Sequence, residues 1–183
     1  MGTLHGSDER LGFVRALLAR LPTLRADIRG AGERQAVRGA DYLDAMADSR
    51  MGLSISRPDN AYLYASDRMS QLLGNGLLTF QARSSGFQDL FRDDEIAFYD
   101  GLDELTDKLR FFADHDAARR KTAEAGWRAA HAMFASHRVA KYILERSFAQ
   151  PLSESYPWPT TAITVAPDTQ GAHGRPSRAS AAS

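Results

Sequence analysis

The side chains best suited to chemistry gather around DRMSQLLGNGLLTF, residues 67–80. A polar start with Asp67 and Arg68 turns apolar at helical spacing, then breaks at Gly74-Asn75-Gly76 before a strand-like run. Ser66 stands where a helix from Asp67 to about Leu73 wants a capping hydroxyl. A helix start beyond a parallel strand offers free N–H groups and the positive end of the helix dipole, and both favour phosphate. Arg57 at the end of the preceding strand and Arg68 on the first turn could clamp a diphosphate. Gln71, one turn on from Asp67, could hydrogen-bond a ribose hydroxyl. The plainer alternative is that Arg68 faces water and Gln71 serves no ligand, since charged residues are common at helix starts. Gly74-Asn75-Gly76 follows the helix, the wrong side for cradling phosphate, and reads as a C-cap and turn.

Other chemistries find little support. The chain has no cysteine, which removes disulfides, thiol catalysis and thiolate metal sites. His131 and His137 do not share the i, i+4 spacing that puts two ligands on one helix face, so no metal site is expected. His5 reads as a loop residue at the mouth of a short first strand. Asp93-Asp94-Glu95 and Asp103-Glu104 read as turn and helix-start acids rather than a catalytic dyad. No Gly-x-Ser-x-Gly or Walker pattern occurs. The 23 basic and 23 acidic side chains cancel, which argues against a nucleic-acid binder relying on bulk charge. No apolar run approaches the roughly 20 residues of a transmembrane helix. The opening MGTLHGSDERLGF lacks the apolar core of a secretory signal, and Gly6 stands where myristoylation wants Ser or Thr. A cytoplasmic protein is the expectation.

The elements that must position these residues alternate along the chain. Leu11, Val14, Leu17, Leu18 and Leu21 mark a helix that ends at Pro22. ADYLDAMADS reads as a short helix, and GFQDLF as a helical turn or two. Strands are expected at 24–29, 50–56, 77–81 and 95–98, preceded by a very short one in GTLHG. LDELTDKLRFFAD, with Asp100 as candidate cap, AARRKTAEAGWRAAHAMF and HRVAKYILERSF are amphipathic helices. Their stripes predict that Leu109, Phe112, Trp127, Phe134, Tyr142 and Ile143 are core residues. The continuous apolar run LLTFQ suits a sheet covered on both faces. The fold class is therefore α/β, a doubly wound parallel sheet finished by C-terminal helices. Residues 1–150 form the domain; 151–183 form a polar tail rich in Pro, Ser, Thr, Ala and Gly, which from Thr160 reads as disordered. In such a fold ligands bind beyond the carboxyl ends of the strands.

From about residue 3 to residue 148 the chain resembles the C-terminal domain of GT-B glycosyltransferases, most of all the group 1 glycosyl transferase-like family that includes CgeB-type spore maturation proteins. The matching stretches are HGSDERLGFVRALLARLP, YLDAMADSRMGLSISRPDNAYLYASDRMSQLLGNGLLTF, FQDLFRDDEIAFYDGLDELTDKLRFF and AGWRAAHAMFASHRVAKYILE. The resemblance implies a Rossmann-like lobe that holds a nucleotide-diphosphate sugar as donor substrate, with no further cofactor. It places Gly6 and Ser7 at the glycine-containing turn that approaches the diphosphate, with Arg10 nearby. The family's Arg-x-Phe-Glu helix start falls on Arg68, Met69, Ser70 and Gln71, so glutamine replaces the acid that holds the ribose. Leu63 stands where related enzymes carry a second glutamate. The resemblance also implies an N-terminal acceptor-binding lobe that this chain has no room for.

Three functions fit these features: the donor-binding half of a glycosyltransferase, a non-catalytic nucleotide- or glycan-binding module of the same fold, or an unrelated doubly wound interaction domain. Nucleotide binding separates the first two from the third, and turnover separates the first from the second.

Overall fold

The structure, a computed structural model, describes residues 9–29, 35–55 and 62–160. Three strands form its sheet: β1 (Met51–Ser54), β2 (Leu78–Ala82) and β3 (Ala97–Tyr99), in the order β1-β2-β3. Both pairings are parallel, with Met51 opposite Leu78, Ser54 opposite Gln81, and Phe80 opposite Ala97. Six helices surround it among the described residues: α1 (Glu9–Arg20), α2 (Ala40–Ala47), α3 (Asp67–Gly74), α4 (Leu102–Asp114), α5 (Asp116–Phe134) and α6 (Ser136–Ser147). This is a Rossmann-like half-domain.

Alternation along the strands divides the core into two layers. Leu78 and Phe80 of β2 and Ala97 and Tyr99 of β3 meet Leu17 of α1, Leu21 just beyond it, and Leu105 and Leu109 from α4. Ile96 and Phe98 point the other way, onto Met69 and Leu73 of α3 and onto Phe87 and Phe91. Both faces of β2 are covered, and Leu78, Thr79 and Phe80 are fully buried.

The strand expected at 24–29 does not form: these residues are irregular, and among the described residues β1 pairs with β2 alone. The alternation of Leu24, Ala26 and Ile28 is real, but a strand needs a partner for its backbone groups. Here Ala26 is exposed, and the interspersed Asp27 and Arg29 pair with each other at 2.6 Å. The other strands begin and end within two residues of expectation, save that the end of 50–56 and all of GTLHG lie outside the described residues.

Helix α3 stops as its sequence requires. Gly76 adopts φ +74°, a left-handed conformation with little cost only for glycine. Its N–H donates to the Leu73 carbonyl at 3.1 Å, and that of Leu77 to the Leu72 carbonyl at 3.0 Å. That pair of bonds is a Schellman cap, which turns the chain directly into β2. Asp100 does not cap α4. Gly101 holds that position, and Glu104 instead reaches back to accept from the Asp100 N–H at 2.8 Å.

Helix α5 crosses the amino ends of all three strands. Arg119 donates to the carbonyl of Arg50, just before β1, at 3.3 Å. Trp127 lies beside Gly76, ahead of β2, and Gly126 abuts the carbonyl of Glu95, ahead of β3. This placement corrects the expected core. Leu109 is buried and Phe112 half-buried, but Trp127 is 41% exposed, Phe134 38% and Ile143 55%. A helical stripe shows which side faces inward, not how much protein lies over it. α5 and α6 are edge helices, and their stripes are only partly covered.

Residues 151–158, which composition assigns to the tail, pack on α5 and α6. Trp158 stacks on Phe134 at 5.5 Å and meets Tyr142 edge-on at 5.6 Å. Glu145 accepts hydrogen bonds from the Ser153 hydroxyl at 2.5 Å and the Tyr156 hydroxyl at 2.8 Å. Those bonds hold the Glu145 carboxyl below its ordinary range. Burial, and then the bond to Glu145, push the Tyr156 phenol up to about 12. The stretch from residue 161, where most of the expected disorder falls, lies outside the described residues.

Candidate functional site

After β1 the chain returns through α3, so the first turn of α3 sits over the carboxyl end of the sheet, where Arg68 meets Ile55. Its fit is set by two contacts. Leu72 packs over Gly52, and Arg68, half-buried, donates from Nη1 to the carbonyl of Ile55 at 2.5 Å. Arg68 thus does not simply face water: it ties the helix start to the residue that follows β1.

A cleft of about 1160 Å³ is lined by Met51, Gly52 and Leu53 of β1. Arg10 from the first turn of α1, Arg68 from α3 and Tyr42 from α2 line it beside Ile55. Burial pulls the Arg68 guanidinium below its ordinary range, and the positive charge of Arg10 pulls it further. Tyr42 acts in the opposite sense, and its own phenol is raised by burial and lowered by Arg68. Arg10 and Arg68 are thus two like charges on one cleft, which Asp41 and Asp44 also line.

The remaining sequence-predicted residues fall differently. Ser66 occupies the N-cap position with extended backbone, but its side chain gives α3 no capping bond. The N–H groups at the start of α3 therefore take nothing from the Ser66 hydroxyl. Gln71 is exposed, and it is its backbone carbonyl that is engaged, by the Asn75 side chain at 2.8 Å. Gly6, Ser7 and Arg57 lie outside the described residues. Tyr42 went unrecognised in the sequence, where nothing distinguishes it from any aromatic on an amphipathic helix.

The loop before α3 is also pinned. Leu63 adopts φ +53°, unusual for a branched residue, and its N–H donates to the Ser85 carbonyl at 2.7 Å. Tyr62 lies against Gly86 and donates to Asp89 at 2.8 Å. The position that related enzymes fill with glutamate is thus occupied by a leucine half-buried against the core layer of Phe87 and Phe98. Among the described residues no group of His, Asp or Glu could hold a metal ion, and no helix is long and apolar enough to cross a membrane.

The fold is a parallel α/β half-domain whose cleft is lined by arginines and aspartates together. The model of the glycosyl transferase-like family matches residues 10–145 of the 183, and the chain belongs to that family. Neither a comparison with curated proteins nor one with solved structures returned a match.

Proposed function

We propose that this domain is the donor-binding half of a GT-B glycosyltransferase of the CgeB-like kind, which transfers a sugar from a nucleotide-diphosphate sugar to an acceptor. Family membership supports sugar transfer in general. The observation that carries the donor assignment is the pair Arg10 and Arg68: two arginines on one cleft, beside the start of α3 and the end of β1, with Arg68 anchored on the Ile55 carbonyl. The diphosphate rests between them and the first-turn N–H groups of α3, with Arg57, Ser66 and the Gly6-Ser7 turn around it and Gln71 towards the ribose. The acceptor is bound by a lobe supplied from outside these 183 residues. The enzyme works in the cytoplasm, needs no metal or other cofactor, and engages neither nucleic acid nor the membrane interior.

Calorimetric titration with UDP and GDP tests the reading. The domain should bind one of them weakly, because a single lobe leaves the ligand half in water and screening keeps each charged contact modest. Arg68→Ala should cost about 1–2 kcal/mol of that binding, the scale of one charge-assisted contact. No heat with either nucleotide would refute it.

The exposed Gln71 in place of an acid, and Leu63 turned towards the core, favour a second reading: a nucleotide- or glycan-binding module that transfers nothing. Turnover of a nucleotide sugar with an acceptor lobe supplied separates the two.

A further inference from the structure

We infer that Tyr42 supplies a third hydrogen-bond donor to the anion held between Arg10 and Arg68, an inference that rests on the donor-site reading above. Helix α2 leads back to the amino end of β1, so its first turn lies at the opposite, carboxyl end of the sheet, where Arg68 binds Ile55. Tyr42 sits on that turn and lines the same cleft as both arginines. Its ring packs against the buried cluster of Met46, Leu72 and Leu77, which fixes it from below. Leu72 belongs to α3, one turn on from Arg68, so one packing contact holds the tyrosine and the helix start in register.

The phenol lies close enough to the Arg68 guanidinium for each to shift the other's titration. A guanidinium has no acceptor to offer, so the two groups cannot satisfy each other by a bond from the tyrosine hydroxyl. An oxyanion placed between them can: it accepts from the phenol and from the guanidinium together. The chemical class is a phosphate or diphosphate oxygen, which brings lone pairs and negative charge. A sugar hydroxyl brings no charge to offset the burial of the Arg68 guanidinium. Tyr42 is thus a binding residue that recognises the diphosphate rather than the nucleoside.

Inorganic pyrophosphate, UDP and uridine, titrated calorimetrically into the wild type, Tyr42→Phe and Arg68→Ala, separate the outcomes. Phenylalanine keeps the packing on Met46, Leu72 and Leu77, so the thermal midpoint of Tyr42→Phe should equal that of the wild type. Its affinity for pyrophosphate and UDP should fall at least about tenfold, the loss of one hydrogen bond to a charged group, while uridine binding is unchanged. Equal pyrophosphate affinity of Tyr42→Phe and wild type, with Arg68→Ala weakened, would overturn the role of Tyr42 and leave the donor site standing. Pyrophosphate binding that depends on Tyr42, without binding of UDP or GDP, would overturn the nucleotide reading and keep the anion site. If the wild type binds none of the three, both fall.

Discussion

Replacing Gly126 with alanine sets two effects of known size against each other. Position 126 lies in the interior of α5, where alanine is the better helix former by about 1 kcal/mol. A Cβ there would stand 2.2 Å from the backbone oxygen of Glu95 and 3.3 Å from a methyl of Leu73. Even a favourable carbon–oxygen contact needs about 3.3 Å, so α5 must withdraw by about 1 Å. The obstacle cannot yield in its place: it is main chain, and its neighbour Ile96 is fully buried. Overpacking of this kind costs about 1–3 kcal/mol, and a backbone obstacle puts it in the upper half of that range. After the gain in helix propensity is subtracted, Gly126→Ala should lose about 1–2 kcal/mol. In a domain of this size that lowers the thermal midpoint by roughly 2–8 °C. Urea unfolding gives the free energy directly. Gly12→Ala is the control: it too lies within a helix, but nothing stands within 4 Å of its Cβ. It should gain about 0.5–1 kcal/mol. If Gly126→Ala matched that gain, the close approach of α5 to the sheet would be refuted.

Leu105, fully buried between the sheet and α4, should cost about 2–5 kcal/mol on truncation to alanine, read from the urea midpoint. Ending the chain after Gln150 removes the residues that cover Tyr142 and engage Glu145, so the thermal midpoint should fall; an unchanged midpoint would show that 151–158 is a passive tail. Because the folded pKa of Glu145 lies below its unfolded value, the stabilisation it gives is complete above about pH 4.3 and is lost as pH falls through the depressed folded value. In a Trp127→Phe background, where Trp158 is the remaining tryptophan, its emission should change in that acid window, and Glu145→Gln should abolish the step. Gln71→Glu should tighten UDP binding and leave pyrophosphate affinity unchanged, because a carboxylate there accepts from ribose hydroxyls without touching the diphosphate.

What could be read in the sequence was local. The run at 77–81 announced a strand buried on both faces because only the small hydroxyl of Thr79 interrupts Leu77 to Phe80, and Gly76 announced the end of α3 because only a left-handed residue closes that cap. The segment 24–29 misled because alternation is local but pairing is not: whether Leu24 to Arg29 joins a ladder depends on a neighbour distant in the numbering. Trp127 and Ile143 misled for a related reason, since burial depends on what the rest of the fold brings over a stripe. The aromatic docking of Tyr156 and Trp158 hid behind the prolines and serines around them. At the site, Arg68 was legible from the helix start on which it stands. Its closeness to Tyr42 was not, because 26 residues separate them and only the packing of Met46, Leu72 and Leu77 brings α2 against α3.

Helix α5 gives the sheet a spine. It binds the amino ends of the strands through Arg50, Gly76 and Glu95, and its last turn meets Phe91 of the segment that follows β2 through Phe134. Amide exchange should therefore grade along each strand, slowest beside α5 and fastest where the strands run out towards Arg68. The same grading divides the labour of descent. Changes in the loops around the cleft can retune what is bound while the fold stays anchored from behind, whereas a change on the inner face of α5 disturbs every strand together.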